Sequence, residues 1–159
     1  MRKVIVSIFI ASAALVMFSC RSSKEALSLS SMNGEWNIIE INGSAVVPGQ
    51  GQQLPFIGFD TTTGKVYGYS GCNRIIGSVD VNAKPGTIDL GALGSTRMAC
   101  PDMTLEQNVL GALAQVKGYK KMGKENMALC NASNRPVVIL AKKAADVKVA
   151  DLQGEWKIT

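Results

Sequence analysis

The chemistry open to this chain is limited first by a missing residue type. None of its 159 residues is histidine. Histidine is the usual general base at neutral pH, the usual partner of serine and cysteine nucleophiles, and a common zinc ligand. Carboxylate-pair chemistry has little support, because Asp60, Asp80 and Asp89 each fall beside a separate predicted turn. We therefore expect a protein that is not an enzyme and that uses no metal or other cofactor.

Cysteine is the remaining candidate nucleophile, and its pattern favours a structural role. The four cysteines are at positions 20, 72, 100 and 130, and no two of them form a C-x-x-C pair. The spacing is therefore unlike a thioredoxin motif or a zinc ribbon. Cys72 and Cys100 lie beside predicted bends, whereas Cys130 ends a strand that should be buried. In an oxidising compartment, Cys72 and Cys100 are predicted to form a disulfide and Cys130 to stay reduced.

The amino-terminal residues predict export to such a compartment. Residues 1–3 are positively charged and residues 4–18 are almost entirely apolar. This order is typical of a secretory signal peptide, and the apolar run is shorter than the roughly 20 residues that span a bilayer. Residues 17–20 (MFSC) resemble the lipobox of bacterial lipoproteins. We predict a signal peptide over 1–19 and lipidation of Cys20; the alternative is an ordinary signal with an incidental cysteine.

The residues that follow predict a short tether and a single domain. Residues 20–31 are rich in serine and are predicted to be flexible, so the domain is expected over 32–143. Loss of Arg2 and Lys3 with the signal lowers the net charge from +5 to +3. The lysines are scattered among apolar residues without a nucleic-acid motif, so we expect a solvated surface and no nucleic-acid partner.

Hydrophobic periodicity predicts an α+β fold. Apolar residues at helical spacing indicate one helix over about 104–117, with Thr104 and Gln107 forming a capping box. The other segments alternate with turns at hairpin spacing. The predicted strands are 34–41, 46–47, 56–59, 65–69, 75–81, 87–90, 119–122, 126–130 and 136–140. We expect a curled, partly barrel-like antiparallel sheet of about eight strands packed against one helix.

The carboxyl-terminal residues repeat the start of the predicted domain. Residues 151–158 (DLQGEWKI) echo residues 31–38 (SMNGEWNI) at an offset of 120. Similarity at this spacing predicts that 144–159 are a linker and the first strand of a truncated second repeat. Two alternatives are a strand that completes the first sheet and a chance recurrence.

Two motifs between the hairpins contain the strongest candidates for binding. They are the G-C-N-R sequence at 71–74 and the T-R-M-A-C sequence at 96–100. One interpretation is a site for an anion or a peptide terminus built from Asn73, Arg74 and Arg97, because a guanidinium matches a carboxylate. The other is internal hydrogen bonding that stabilises a bulged sheet, for which the flanking glycines are suited.

The paired motifs, together with the Gly-x-Trp at 34–36, the helix containing Glu106 and the late strand at 127–129, resemble the META domain family, also called HslJ-like. The resemblance covers about 32–143. It implies an envelope protein of a Gram-negative bacterium, often a lipoprotein and sometimes heat-induced or linked to antibiotic tolerance. It implies no known reaction, because the family has no established catalytic residues.

These observations predict a non-catalytic envelope module, lipid-anchored to the outer membrane, that binds a protein or glycan partner or acts under stress. The periplasmic face is preferred over the cell surface because no acidic run follows Cys20. One alternative is a secreted inhibitor of an enzyme such as lysozyme, which would need an exposed loop. Another is a carrier of lipids or small molecules, which would need an apolar cavity of roughly several hundred Å³.

Overall fold

A single sheet organises residues 27–144, which are the part of the chain that the computed structural model describes. One α-helix, α1 (Thr104–Leu113), packs against the sheet, and a 3-10 turn (Leu29–Met32) precedes the first strand. The predicted signal peptide, Cys20 and the repeat-like tail lie outside these residues. The strands are β1 (Gly34–Ile41), β2 (Ser44–Ala45), β3 (Phe56–Asp60), β4 (Lys65–Tyr69), β5 (Arg74–Ser78), β6 (Gly94–Ser95), β7 (Gly118–Met122), β8 (Asn126–Cys130) and β9 (Pro136–Lys142).

The strands are arranged around β1, which is central in the sheet. Their spatial order is β6-β5-β4-β3-β1-β9-β8-β7, and β2 pairs with the end of β1. Every ladder is antiparallel. A β-bulge between Ile38 and Glu40 shifts the register of the β1–β9 ladder, which increases local twist. The predicted class, an α+β fold with a curled antiparallel sheet and one helix, is confirmed.

The hairpins form where the sequence contains residues that accept tight turns. Asn42 and Gly43 have φ angles of 49° and 83°, as a two-residue hairpin loop requires. At the β3–β4 turn, the carboxylate of Asp60 accepts bonds from the Thr63 hydroxyl and from the backbone N–H groups of Thr62 and Thr63. These bonds, led by the one from the hydroxyl, lower the pKa of Asp60. The turn residues thus set the register of the strands beside them.

The core lies between the inner face of the sheet and α1. Strand residues that alternate inward meet the apolar face of the helix, which presents Val109 and Leu113. Trp36 closes one end of this core, and its Nε1–H donates to the carbonyl of Met32 at 2.7 Å. The largest fully buried side chains are those of Phe59, Met32, Ile38, Ile57, Ile75, Leu90, Leu113, Leu129, Leu140, Val66, Val109 and Val116.

The domain begins earlier than predicted. The sequence predicted a start at residue 32. Leu29 and Met32 are buried, and the carbonyl of Leu27 accepts bonds from the Tyr119 hydroxyl at 2.7 Å and from the Gly86 N–H at 3.1 Å. Residues 27–31 are thus part of the fold and not of the tether. The serine-rich composition of this segment concealed two leucines that pack against the core.

The helix begins at residue 104 as predicted, but its N-terminal capping and its C-terminal end differ from the prediction. Its N-cap residue is Met103, whose side chain makes no capping bond, and Thr104 lies inside the first turn. The Thr104 N–H is instead satisfied by Asp102 Oδ1 at 2.8 Å, so the predicted capping box is wrong. The helix ends at Leu113, and the next residues form tighter turns, such as the Gln115 N–H to Ala112 carbonyl bond of 3.1 Å.

The segment between β5 and α1 is also less regular than predicted. Residues 87–90 form no strand, and only a single bridge joins Thr87 to Gly118. Ile88 and Leu90 are nevertheless buried. The alternation of apolar and polar residues at 87–90 therefore results from packing in the core and not from strand pairing. The sheet edge is formed by the short β6 instead.

Close packing between β3 and β4 gives a first test of this fold. A methyl group on Gly68 would overlap the carbonyl oxygen of Phe56 and lie 3.1 Å from Ile57 Cα. We expect Gly68→Ala to lower the free energy of unfolding by about 1 to 3 kcal/mol, or at least about 4 °C in melting temperature. Gly111→Ala is the matched control, because a methyl group there meets nothing within 4 Å and alanine favours a helix. Equal melting temperatures for the two variants would contradict the packing.

Candidate functional site

Asn73 connects the two motifs that the sequence singled out. Its side-chain Oδ1 accepts bonds from the Thr96 hydroxyl and from the Met98 N–H, both at 2.7 Å. Its Nδ2 donates to the carbonyl of Met98 at 3.1 Å. The Asn73 carbonyl accepts from both the backbone N–H and the hydroxyl of Ser70, each at 2.9 Å. One asparagine therefore ties the G-C-N-R corner to the T-R-M-A-C segment.

Glu106 completes this network from the helix. Its Oε2 accepts from the backbone N–H of Asn73 at 2.8 Å, and its Oε1 accepts from Asn73 Nδ2 at 2.9 Å. Both residues are buried, with 2% of Asn73 and 5% of Glu106 exposed. Gly71, at φ +119°, lets the corner approach the helix, because a Cβ there would lie 3.1 Å from Leu105 Cγ. We call this set of contacts the Asn73 corner.

A disulfide strengthens the Asn73 corner. Cys72 and Cys100 are bonded to each other, and their Cα atoms are 6.1 Å apart. Cys130 is a free, buried thiol, and burial raises its pKa. The predicted pairing and the predicted reduced cysteine both agree with the structure. The thiol at 130 is thus protected from reaction by its position and by its protonation.

These contacts decide between the two interpretations of Asn73. Its amide is fully engaged inside the protein, so no polar atom of the side chain is left for a ligand, and Asn73 is corrected from a binding candidate to a structural residue. Glu106 was not recognised from the sequence as its partner. The sequence did contain one indication that Glu106 needs a partner. Glu106 lies on the same helical face as Val109 and Leu113, which is buried, and an unpaired carboxylate there would be unfavourable.

Arg74 is placed differently, at the edge of a surface groove. The groove has a volume of about 340 Å³ and lies on the outer face of β3, β4 and β5. Its walls include the rings of Phe56, Tyr67 and Tyr69 together with Ile76, which is 66% exposed. The Tyr69 hydroxyl donates to the carbonyl of Gly71 at 2.7 Å, which links the groove to the Asn73 corner. We call this feature the Arg74 groove.

The Arg74 groove contains two cationic side chains with different surroundings. Lys143 Nζ lies 4.3 Å from the centre of the Phe56 ring and 2.7 Å from Glu35 Oε2. The guanidinium of Arg74 is exposed and bonds to no other residue between 27 and 144. Burial, followed by the charge of Glu35, raises the pKa of Tyr67, so its hydroxyl is neutral at physiological pH. Arg74 can therefore pair with an external anion.

Arg97 does not share the groove. Its backbone neighbour Thr96 donates to the carbonyl of Arg74 at 3.1 Å, but Arg97 is absent from the groove walls. Its side chain is exposed to solvent. The structure therefore separates the two arginines that the sequence grouped together, and only Arg74 stands beside aromatic rings.

The described residues offer little to support catalysis, metal binding or membrane crossing. Across 27–144, no three side chains from His, Cys, Asp and Glu come close enough to hold a metal ion. Within the same residues, α1 is too short and too polar to cross a bilayer. A second groove, of about 450 Å³, separates the β1–β2 hairpin from α1 and is lined partly by the polar side chains of Asn42, Ser44, Asp102, Thr104 and Asn108. It does not resemble the apolar cavity of a carrier.

The buried Asn73–Glu106 pair generates a second test. Asn73→Asp would place two carboxylates against each other and remove the donor Nδ2. We expect a loss of about 3 kcal/mol or more in the free energy of unfolding at pH 7. Asn108→Asp makes the same chemical change at an exposed position of α1, the helix that contains Glu106, and it should change stability by less than about 0.5 kcal/mol. Urea unfolding of both variants provides the measurement, and similar midpoints would contradict the network.

Two solved structures with TM-scores above 0.5 share this architecture. An NMR structure of a protein from Burkholderia xenovorans superposes with a TM-score of 0.56 at 24% identity, covering 74% of this chain and 88% of that one. A second NMR structure gives 0.51 at 19% identity, with coverages of 77% and 94%. A DUF4847 family protein from Bacteroides vulgatus gives 0.48 at 16% identity, with coverages of 72% and 96%. No curated protein sequence matches the chain. The META domain family matches residues 27–144, the same residues that the structure describes, and the chain belongs to that family.

Proposed function

We propose that this META domain protein is a non-catalytic binding module of the cell envelope, anchored by lipid at Cys20, whose Arg74 groove binds a glycan that carries carboxylates. The module is placed at the periplasmic face of the outer membrane of a Gram-negative cell, where envelope stress would make such binding useful. The observation that carries the proposal is a guanidinium without a partner among residues 27–144, beside three aromatic rings.

The chemistry of the groove suits such a ligand. A guanidinium presents parallel donors that match the two oxygens of a carboxylate. Aromatic side chains offer flat apolar faces together with a polar edge, and Phe56, Tyr67 and Tyr69 are adjacent across paired strands. Most of the walls are residues of β3, β4 and β5, and Gln53 and Lys143 from outside the strands complete them. Peptidoglycan combines sugar rings with free carboxylates and is therefore the probe of choice.

We propose a non-catalytic role because the residues of the Arg74 groove do not suit acid–base catalysis. Among the residues that line it, none is an acid, and the neighbouring Glu35 is paired with Lys143 at 2.7 Å. A general acid–base pair needs two titrating groups that face the reacting bond. The groove provides two cations and the neutral hydroxyl of Tyr67, which favour binding over turnover.

One observation favours the inhibitor as a second candidate. The loop between β2 and β3 leaves Val47 81% exposed, and an exposed apolar side chain on a loop can enter a cleft. The loop has one such residue, whereas the Arg74 groove combines a cation with several rings. The groove therefore has the stronger support.

Removal of the Arg74 guanidinium tests the binding proposal. A charge-assisted bond contributes about 1.5 to 3 kcal/mol, so Arg74→Ala should weaken co-sedimentation with purified peptidoglycan sacculi by at least about tenfold. Arg135→Ala removes another exposed arginine, in the β8–β9 turn, and should bind as the unchanged protein does. If the unchanged protein stays in the supernatant, or if both variants bind equally, the groove does not have this function.

Acylation of Cys20 is tested separately. Three acyl chains at about 0.8 kcal/mol per buried methylene hold a protein durably on a membrane. We expect Cys20→Ser to move the protein from the membrane pellet to the soluble envelope fraction and to abolish incorporation of labelled palmitate. Cys130→Ser is the control, because that thiol is buried in the fold and should not affect the label. Unchanged fractionation of Cys20→Ser would contradict the anchor.

A further inference from the structure

A second charged groove lies where the described chain begins. It has a volume of about 510 Å³, and Leu27 is one of its lining residues. Trp36 and Met127 form its apolar floor, since both are nearly buried. Lys121 and Lys124 stand at its rim, and both are exposed. We call it the lysine groove.

The charge of the lysine groove is positive. Three of its lining residues are lysines, at 121, 124 and 142, against the single carboxylate of Glu125. Lys142 is held in place, because its Nζ lies 4.4 Å from the centre of the Trp36 ring and donates to the carbonyl of Asn33. The ammonium groups of Lys121 and Lys124 make no hydrogen bond or ion pair with another residue between 27 and 144. Next to them, Met122 is 45% exposed. Cations on long aliphatic stems thus border an apolar floor.

The lysine groove lies within a short length of chain from the proposed anchor. Leu27 follows Cys20 by seven residues, a distance of at most roughly 25 Å when fully extended. The β7–β8 turn, the end of β9 and the start of β1 all lie at this end of the sheet. Arg135, in the β8–β9 turn, lies at the opposite end. A lipid chain at Cys20 would therefore hold the lysine groove close to the bilayer.

We propose that the lysine groove is a membrane-docking surface that binds the anionic phospholipid of the bilayer to which Cys20 is anchored. Lysine stems can lie along apolar material while their ammonium groups contact phosphates. The apolar floor between the lysines fits the glycerol and upper acyl region of a lipid. This inference rests on the proposed acylation of Cys20, and it adds an orientation, in which the lysine groove faces the bilayer and the opposite end of the sheet faces away.

Vesicle binding by the unacylated protein tests the surface apart from the anchor. The mature chain, residues 20–159 with Cys20→Ser, is mixed with vesicles of phosphatidylglycerol and phosphatidylcholine in equal amounts, or of phosphatidylcholine alone. We expect co-sedimentation with the anionic vesicles only. Each lysine near such a surface contributes about 1 kcal/mol, so Lys121→Glu with Lys124→Glu should lower the binding constant by at least about tenfold. Palmitate labelling measures acylation of Cys20 independently. Failure of the proposed anchor can therefore be distinguished from failure of the lysine groove to bind lipid.

The matched control reverses two charges elsewhere. Arg97→Glu with Arg135→Glu changes the net charge equally at exposed positions away from the lysine groove and should retain most of the binding. Equal losses in the two double variants would show attraction by net charge alone and would overturn the proposal. Equal binding to neutral vesicles would also overturn it. Binding that emerges only after residues 145–159 are removed would identify that segment as the occupant of the groove instead.

Discussion

The interaction on which the rest of the domain depends is the buried contact between Asn73 and Glu106. A carboxylate that is 5% exposed has lost most of its water, and in this structure the backbone N–H and the side-chain amide of Asn73 replace it. No lysine or arginine among residues 27–144 neutralises Glu106, so hydrogen bonds alone compensate its burial. The same asparagine also holds Thr96 and Met98. A single side chain therefore joins the sheet, the helix and the segment between them.

This arrangement separates the stable interior from the surface that can bind. Asn73 is turned inward and has no polar atom to spare, whereas its neighbour Arg74 begins β5 on the outer face. The disulfide from Cys72 to Cys100 and the Tyr69–Gly71 bond hold the corner from which Arg74 projects. A guanidinium on a fixed backbone loses less conformational freedom on binding than one on a mobile loop. The Asn73 corner thus holds the backbone of Arg74 in place before a ligand binds.

The proposed surfaces occupy different parts of the same sheet. The Arg74 groove lies on the outer face of β3–β5, and the lysine groove opens beside the first described residues and the β7–β8 turn. Strands on either side of β1 supply them, so one central strand fixes their relative position. The two grooves are neighbours at the end of β9, because Lys142 lines the lysine groove and Lys143 lines the Arg74 groove.

The sequence by itself determined the features that depend on near neighbours. Hairpin turns such as Asn42-Gly43 and Asp60–Gly64 were predictable because their backbone angles are set by the turn residues themselves, and the family was recognisable from its paired motifs. Tertiary structure decided the rest. Asn73 and Glu106 are 33 residues apart, so no local pattern distinguished a structural asparagine from a ligand-binding one. The alternation at 87–90 imitated a strand because burial in a core and pairing in a sheet select the same apolar spacing. Only the folded chain shows which of two similar arginines stands beside aromatic rings, because that depends on the strands that pack around each of them.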